Sequence, residues 1–570
     1  MPKEPLLTPS KRHHDLDALR AFAMLLGIAL HAALAFVPLM PWPVQDSQQN
    51  ELFGLLAGII HGFRMPVFFV MSGFFTAMLW RGRGLRGLLA HRAQRIALPL
   101  LLSLVTVVPA VEWASARALE KAHGEGRIHA DLAAEGSAES SASEEETSET
   151  PSAPADLHEA VFRGDLEAVR RMLEAGSSPD ALNFMGSTPL IVAAAEGRVE
   201  AAKLLIEAGA AVNLQSGDGS SALHTAAFFG RSRVARLLVE AGADSTLKNA
   251  YGQRPAQTLE ADWQTTAAIA AMVGLTVDRE EVETGRREIS DMLRRQPADE
   301  SAGGASAEPA AGLSLGRLML EPFFHHLWFL YFLCWLVPAF ALCAALAEGL
   351  LGQGRLRDSR FAGWILSPWR VLWLLPLTAL PQAFMGRIAP VFGADTSAGL
   401  LPMPHVLAYY AVFFFFGAAY FEADDREGRV GRGWKLVLPL AALVLLPGGL
   451  ALMSPGVRGA GLLSLALSSL VQVAYTWAMI FGLIGLFRRF LSAERPWIRY
   501  LSDASYWLYL MHLPLVIEVQ ALARTAPWPA AVKFVGICLG VTALLLAVYQ
   551  GAVRTTWLGR LLNGPRPRPA

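Results

Sequence analysis

Long apolar segments constrain the fold of this chain more than any other feature of its sequence. About ten segments carry little charge over roughly 17 residues or more, the length that an α-helix needs to cross the hydrocarbon core of a membrane. Inside a membrane every backbone N–H and C=O group needs a partner from the protein, which a helix provides. We therefore predict an all-α, polytopic membrane bundle of about ten transmembrane helices. The segments cover residues 17–38, 52–79, 96–113, 320–348, 371–387, 404–423, 436–453, 460–487, 500–521 and 531–553.

Basic residues are clustered in every second connection between these segments. Arginine-rich stretches follow the second, fourth, sixth, eighth and tenth segments, and residues 1–14 are also basic. Cytoplasmic connections of membrane proteins are enriched in Lys and Arg. We therefore expect a protein of the inner membrane of a bacterial-type cell, with both termini, including a basic tail at 556–570, in the cytoplasm. The overall charge points to no partner, since 49 Lys and Arg balance 49 Asp and Glu. We expect contact with membrane lipids and no nucleic-acid partner.

The chain between the third and fourth segments differs in composition from the rest. Residues 114–154 are polar and end in a run rich in Ser and Glu, which predicts an acidic, disordered linker. Glycine then recurs every 33 residues, at Gly164, Gly197 and Gly230. This period, and the residues that accompany it, resemble ankyrin repeats. We expect about three repeats, followed by a degenerate helical cap, to occupy residues 155–297.

The repeats predict an α-solenoid inserted into the membrane part. Each repeat would contribute two short antiparallel helices, and the surface of such a stack usually binds a protein partner. His158 and His224 take the position at the start of a repeat helix, where a structural hydrogen bond is expected. A second linker is expected at 298–314. The alternation of basic connections places the insert outside the cytoplasm, and its lack of cysteine suits an oxidising space.

The first apolar segment contains an arginine and, eleven residues later, a histidine. Eleven residues of α-helix complete almost three turns, so Arg20 and His31 share one face and lie roughly 16 Å apart along the axis. Asp17 precedes Arg20 by three residues and can hold its guanidinium. Ionisable side chains inside a membrane are costly and usually face a cavity or a partner. His31 is therefore either a functional residue or a histidine hydrogen-bonded within the bundle.

Several short elements, taken in their order along the chain, resemble the membrane acyltransferase 3 family, and most closely its branch that succinylates periplasmic glucans. The resemblance covers about 11–113 and 315–555, which assigns residues 1–113 and 315–555 to one membrane domain in two parts. The ankyrin insert departs from the family pattern. The elements are DLDALR with the later His31, FFVMSGFF at 68–75, Arg92-Ala93-Gln94-Arg95, HLWFL at 326–330 and SDASYWLYLMHLP at 502–514.

This resemblance implies an enzyme that transfers an acyl group from an acyl-CoA to a hydroxyl of a carbohydrate or glycan. A hydroxyl is a poor nucleophile at neutral pH, so a base must take its proton, and histidine has a suitable ordinary pKa. His31 is the candidate base, and Arg20 is its catalytic companion, either supporting the histidine or contacting the donor. We expect no cofactor, acyl-CoA being a co-substrate, and no metal. A serine nucleophile at Ser72 is less favoured than a structural role for Ser72-Gly73, since no G-x-S-x-G motif is present.

Three arginines are candidates for binding the acyl donor. Arg92 and Arg95 lie one turn apart beside the predicted inner face, and arginine forks bind phosphate groups such as those of CoA. A basic cytoplasmic connection explains them equally well. Arg64 is charged within the second apolar segment, which makes it the third candidate.

Four residues are candidates for the acceptor site. His326 precedes an aromatic run at the edge of the fourth segment, where an interfacial histidine is the alternative. Ser505, Tyr509 and His512 recur at i, i+4 and i+7 in the ninth segment and form one polar stripe. Such a stripe lines a cavity or packs on a partner helix, and its donors suit a glycan. His512 is also a second candidate for acid–base work.

Two functions of other classes fit the same sequence. In a transporter for a glycan or a lipid-linked substrate, the intramembrane histidines and arginines would bind and relay without catalysing. In a membrane-tethered adaptor, the ankyrin repeats would carry the function and the bundle would be inactive.

Overall fold

The computed structural model describes most of the chain, and every regular element among the described residues is a helix. This confirms the predicted all-α fold class. The described residues are 13–37, 42–139, 156–183, 187–216, 218–249, 252–261, 263–272, 275, 277–295, 319, 323–351, 360–386, 392–453 and 462–563.

The helices fall into two membrane parts separated by the insert. The first part contains α1 (His14–Leu34), α2 (Glu51–Arg92) and α3 (Leu98–Glu139). The insert contains α4 (Leu157–Arg163), α5 (Leu166–Glu174), α6 (Pro189–Glu196), α7 (Val199–Glu207), α8 (Ala222–Phe228), α9 (Ser232–Glu240), α10 (Pro255–Thr258), α11 (Trp263–Met272) and α12 (Arg279–Arg294). The second part contains α13 (Trp328–Leu351), α14 (Arg360–Leu366), α15 (Val371–Gln382), α16 (Pro404–Glu422), α17 (Trp434–Leu440), α18 (Leu446–Ala451), α19 (Leu462–Leu491), α20 (Pro496–Ala523), α21 (Ala530–Val548) and α22 (Trp557–Asn563).

Eight helices of the described residues are long and apolar enough to cross a membrane, whereas the sequence predicted about ten. The predicted second and third segments lie in one continuous helical element, Glu51–Ala118, in which the left-handed Gly84, with a φ of 65°, makes a kink between them. The predicted fifth segment forms α15, which has only 12 residues and contains two prolines. Helix α14 and the 3₁₀ turn Pro368–Arg370 lead directly into it, which lengthens the helical segment. The ends of α13 and α16 both reach Arg81, through Glu348 and Glu422, so the chain between them crosses back through this segment. Each of the other seven predicted segments coincides with one candidate span.

The boundaries of the predicted linkers and tail change with the structure. Helix α3 continues to Glu139, so the predicted disordered linker at 114–154 is helical in its first part. That part is rich in Ala and Glu, which are strong helix formers. The rest of this linker, and the second linker at 298–314, lie outside the described residues. Within the predicted basic tail, α22 is helical, and residues 564–570 lie outside the described residues.

Helices α2 and α16 pack so closely that only glycine fits at their crossing. A Cβ atom built on Gly73 would lie 1.8 Å from the carbonyl oxygen of Phe414, and one built on Gly417 would lie 1.9 Å from that of Val70. Small residues allow such close approach of membrane helices. Gly73 therefore has the structural role that the sequence favoured for the Ser72-Gly73 pair.

The insert stacks helix pairs, α4 with α5, α6 with α7 and α8 with α9, by a repeated contact. Gly164 ends α4 in the left-handed region, with a φ of 75°. An arginine of the next pair then donates to a carbonyl oxygen in the last turn of the first helix of the pair before it. Arg198 Nη2 lies 3.1 Å from the Phe162 carbonyl oxygen, and Arg231 Nε lies 3.1 Å from that of Ala195. Orphan carbonyl groups at helix ends are satisfied in this way.

The cap helix α12 closes the stack by a variant of the same contact. A Cβ atom on Gly285 would lie 1.8 Å from the Gly230 carbonyl oxygen, so the two backbones touch. The next residue, Arg286, donates from Nη2 to Thr266 Oγ1 at 2.7 Å and from Nε to the Phe228 carbonyl oxygen at 3.1 Å. Arg286 therefore replaces the arginine that a further repeat would supply.

The two repeat histidines have the expected structural role. His158 Nε2 lies 3.1 Å from the Ser187 carbonyl oxygen, and His224 Nε2 lies 2.9 Å from that of Gln253. Each Nε2 therefore carries a proton and donates it. Burial lowers the pKa of both histidines, which keeps them neutral in the folded insert.

Candidate active site

Helices α1 and α20 lie side by side and are joined at two levels. At one level Arg20 Nη2 donates to Ser502 Oγ at 2.6 Å. At the other, His31 Nδ1 lies 2.8 Å from His512 Nε2. Eleven residues of α1 thus match ten of α20, so the two helices run in the same direction and the levels are roughly 15 Å apart. Parallel packing is what the first and ninth segments, both odd-numbered, require.

The pair of histidines fixes where the protons lie on both rings. His512 Nδ1 lies 2.9 Å from the Tyr509 carbonyl oxygen and 3.1 Å from that of Leu508. A carbonyl oxygen only accepts, so Nδ1 of His512 carries a proton and Nε2 of the neutral ring is an acceptor. His31 must then donate from Nδ1, which leaves the lone pair on its own Nε2. Among the described residues, Nε2 of His31 makes no hydrogen bond.

A third histidine reaches the pair from the turn before α13. The ring of His326 meets that of His512 edge-on, with centroids 5.2 Å apart. Its Nε2 lies 3.2 Å from the Leu510 carbonyl oxygen, which is free because Pro514, four residues later, has no N–H. Tyr509 Oη in turn donates to the His326 carbonyl oxygen at 2.7 Å. His326 Nδ1 is buried and has no hydrogen-bond partner among the described residues.

The residue before this third histidine has an unusual backbone. His325 has a φ of 44°, a left-handed conformation that non-glycine residues rarely adopt. It begins the short 3₁₀ turn His325–Leu327 that leads into α13. Residues in such conformations cluster at functional sites. Here the turn directs His326 towards α20.

The predicted polar stripe of α20 is only partly directed at the histidines. Tyr509 and His512 contact His326 as described. Ser505 does not join them, because its hydroxyl donates to the Ser502 carbonyl oxygen of its own helix at 2.7 Å. The structure therefore brings His31, His326, Tyr509 and His512 together and leaves Ser505 out.

Arg20 lies three turns from the histidines, as its spacing requires. It pairs with Asp17 at 3.2 Å, which is the predicted contact, and Ser502 Oγ bonds Asp17 Oδ1 at 3.3 Å. Its Nε is buried and has no hydrogen-bond partner among the described residues. Arg20 therefore joins α1 to α20 at the other of the two levels, away from the histidines, and does not contact His31.

Arg92 and Arg95 lie near the Arg20 level and differ from each other. Arg92 turns inward and donates from Nη2 to Thr76 Oγ1 at 2.8 Å, while its Nε has no partner among the described residues. Arg95 donates from Nη1 to the Leu562 carbonyl oxygen at 2.7 Å, near the end of α22, and its own carbonyl oxygen accepts from Tyr506 Oη at 2.8 Å. Arg92 is therefore the better placed of the two for an anion, and Arg95 anchors the C-terminal helix.

Arg64 lies against α1 one turn before His31. A Cβ atom built on Gly27 would lie 2.5 Å from Nη1 of Arg64, so the glycine makes room for the guanidinium. Of the three predicted donor-binding arginines, Arg64 is the one at the level of the histidines.

Comparison with protein families identifies the membrane part. A family model described as an acyltransferase domain, Acyl_transf_3, matches residues 13–115 and 299–550, which is more than half of the chain. The chain belongs to this family. A model for ankyrin repeats, in three copies, matches residues 157–249, which confirms the predicted ankyrin repeats.

Individual relatives of this acyltransferase-family chain match over shorter ranges. Glucans biosynthesis protein C of Escherichia coli K12 is 36% identical over 96 residues, and so is its counterpart in the O1:K1 / APEC strain. The match covers 17% of this chain and 25% of each relative, so the chain spans about a quarter of the curated relatives it matches. Among solved structures, the ankyrin repeat domain of Bcl-3 is 33% identical, with 24% of this chain and 50% of that chain covered and a TM-score of 0.19.

Two residues of the site in this acyltransferase-family chain were not found from the sequence. Trp42 stacks on the His31 ring, with centroids 5.8 Å apart and planes 9° apart. Its Nε1 donates to Gln520 Oε1 at 2.8 Å, and Gln520 Nε2 donates to the carbonyl oxygens of His31 and Ala32 at 3.0 and 3.1 Å. Gln520 could have been noticed as an uncharged polar residue within an apolar segment. Trp42 lies in a connection, where nothing marked it.

The described residues contain no candidate metal-binding site. No group of three or more His, Cys, Asp or Glu side chains in that part of the chain is arranged to hold a metal ion. The cysteines Cys334, Cys343 and Cys538 are all described and unpaired.

Proposed function

We propose that this protein is an integral membrane O-acyltransferase that moves an acyl group from acyl-CoA to a hydroxyl of a carbohydrate or glycan. The proposal rests on the family membership of the chain and on one observation of the site. His31 carries its proton on Nδ1, held by His512, and presents an unbonded Nε2. A neutral imidazole nitrogen with a free lone pair is what a general base requires.

The geometry supports a direct transfer to the hydroxyl. Nε2 of His31 takes the proton of the acceptor hydroxyl as its oxygen attacks the acyl carbonyl carbon. The C–S bond of the thioester then breaks, and the proton passes from Nε2 to the leaving thiolate. His512 accepts the Nδ1–H bond of His31 throughout and stabilises the imidazolium that forms, as a hydrogen bond to a charged group does.

The donor would enter from the level of Arg20. Arg92 offers a guanidinium that points into the bundle, and Arg95 lies one turn away, so phosphate groups of CoA would bind there. The extended arm of CoA joins its nucleotide to its thioester, and it would reach along α20 to the histidines. Arg20 would hold α1 and α20 in register for this path.

The acceptor would bind on the side of His326 and Tyr509. The free Nδ1 of His326 is a buried acceptor for a sugar hydroxyl. The printed name of the Escherichia coli relatives refers to biosynthesis of glucans, which supports a glycan as the acceptor class. Trp42 adds an aromatic face beside His31.

The position of the protein in the cell is part of the proposal. The alternation of basic connections supports an inner membrane of a bacterial-type cell, with both termini in the cytoplasm and the ankyrin insert outside it. Ankyrin stacks usually bind proteins, so the insert would recruit a protein partner to the membrane part. Membrane lipids would surround the candidate spans.

Acyl transfer by the purified full-length protein tests the proposal. The protein is reconstituted in proteoliposomes with acyl-CoA labelled in the acyl group and with glycan, and mass spectrometry measures acylated glycan. We expect His31→Ala to abolish transfer while the protein remains folded. Ser469→Ala, which removes a hydroxyl bonded to its own helix at 2.8 Å, should retain transfer.

Two results would contradict the proposal. Undiminished transfer by the His31→Ala protein would remove the base from the mechanism. Movement of glycan across the bilayer without acylation would favour a transporter.

A further inference from the structure

Arg64 is a charged side chain placed beside the candidate base by a glycine. The side chain is partly buried, and Nη1 lies where a Cβ atom on Gly27 would come within 2.5 Å of it. Gly27 and His31 are four residues apart on α1 and therefore share a face, roughly 6 Å apart along the axis. The guanidinium thus lies next to the side on which His31 is found.

The charge of Arg64 is not neutralised by the described residues. Its one hydrogen bond among them runs from Nη2 to the thioether of Met65 at 3.5 Å, and its Nε is buried without a partner. By contrast, Arg81, on the same helix, bonds the carboxylates of Glu422 at 2.7 Å and Glu348 at 2.9 Å.

The groups that face Arg64 are neutral. Tyr410 and Tyr509 lie near enough to interact with its charge, and His31 and His512 do so as well. A buried guanidinium without an anion is costly in free energy unless a ligand supplies the negative charge. A negative charge that forms beside the histidines would therefore be stabilised by Arg64.

We propose that Arg64 stabilises the oxyanion that forms on the acyl carbonyl during transfer. This inference rests on the proposed function, since the oxyanion arises only if a hydroxyl attacks an acyl carbonyl at His31. When His31 removes the hydroxyl proton and the C–O bond forms, the carbonyl electron pair moves onto its oxygen. Arg64 donates to that oxygen. The pair returns as the C–S bond breaks, and the thiolate takes the proton from His31.

Preorganised donors aimed at a developing charge are effective where water is excluded. Arg64 meets this requirement because Gly27 leaves its guanidinium a fixed place and no carboxylate of the described residues competes for it. A donor of this kind acts on the transition state more than on the bound substrate.

Turnover of Arg64 variants in the full-length protein tests the inference. We expect Arg64→Met to lower kcat by about 10²–10³-fold, the usual effect of removing one oxyanion donor, with the KM for acyl-CoA nearly unchanged. Gly27→Ala should also lower kcat, because the new Cβ atom displaces the guanidinium. Gly58→Ala is the matched control, since its Cβ atom would meet its nearest neighbour at an ordinary 3.6 Å.

Two further measurements separate catalysis from folding and from donor binding. Binding of a thioether analogue of the acyl-CoA, which cannot transfer its acyl group, should be unchanged in Arg64→Met. Added guanidinium ion should partly restore turnover to Arg64→Gly, which a merely structural role would not produce.

The outcomes distinguish this inference from the function on which it rests. If the wild-type protein transfers the acyl group and the Arg64→Met protein has the same kcat, the role of Arg64 is overturned and the proposed function is not. Weaker analogue binding with an unchanged kcat would show a contact to the ground state and would overturn it too. Absence of transfer by the wild-type protein would overturn the proposed function, and this inference with it.

Discussion

Removing the acceptor that holds His31 should slow transfer without abolishing it. In His512→Leu, Nδ1–H of His31 loses its partner at 2.8 Å, and the ring is free to adopt the tautomer that carries its proton on Nε2. A hydrogen bond to a charged group is worth about 1.5–3 kcal/mol. Since about 1.4 kcal/mol of activation free energy corresponds to a tenfold change in rate, we expect kcat to fall about 10- to 150-fold.

The chain offers a matched variant for this prediction. His512→Gln keeps an amide oxygen that can accept from Nδ1 of His31, so it should retain more activity than His512→Leu. Single-turnover transfer from labelled acyl-CoA measures the chemical step in both proteins. An equal rate in His512→Leu and the wild type would refute the reasoning, and equal losses in both variants would mean that the imidazole of His512 has another role.

Three further predictions concern the fold. Gly73→Ala should destabilise the bundle by about 3 kcal/mol or more, because its Cβ atom would lie 1.8 Å from backbone; thermal unfolding in detergent measures this, with Gly82→Ala, which meets nothing within 4 Å, as the control. Arg286→Ala should weaken the docking of α12 by about 3 kcal/mol through lost charged hydrogen bonds, and proteolysis in urea should then cut the insert at lower urea, whereas an unchanged profile would contradict the cap. Because burial lowers the pKa of His158 and His224, the unfolded insert binds more protons than the folded one below about pH 6.5. The free energy of unfolding of the insert should therefore decrease as the pH is lowered, by up to about 1.4 kcal/mol per pH unit for each histidine. The same proteolysis at pH 7.5 and 5.5 checks this, and equal urea midpoints at the two pH values would contradict it.

Local spacing predicted those parts of the site that lie on one helix. Arg20 and His31 share a face of α1 because eleven residues nearly complete three turns, and the pair of Asp17 with Arg20 follows from a separation of three residues. The ankyrin insert was predictable for the same reason, since its period of 33 residues is written in the chain.

Contacts between distant segments were not predictable in the same way. His31 and His512 are 481 residues apart, and their contact depends on which helix of the bundle lies beside α1. Gln520 and Trp42 join the site through the same packing. A polar stripe on one helix does not show which of its members bond to their own backbone.

Ser505 illustrates this limit on the candidate site. The sequence placed it on a stripe with Tyr509 and His512, but its hydroxyl bonds the Ser502 carbonyl oxygen. Serine in a helix often satisfies itself on a carbonyl of the preceding turn. Arg95 shows a similar outcome, since its guanidinium serves the end of α22.

The most direct test of the account is a double-mutant cycle on the two histidines, read as single-turnover acyl transfer. Residues that act as a unit give strongly non-additive losses. If His31 is the base and His512 acts only through it, His31→Gln should lower the rate by about 10²–10⁴-fold, and adding His512→Leu should lower it no further. A double variant slower than His31→Gln by the full loss of His512→Leu would show independent roles and would contradict the account.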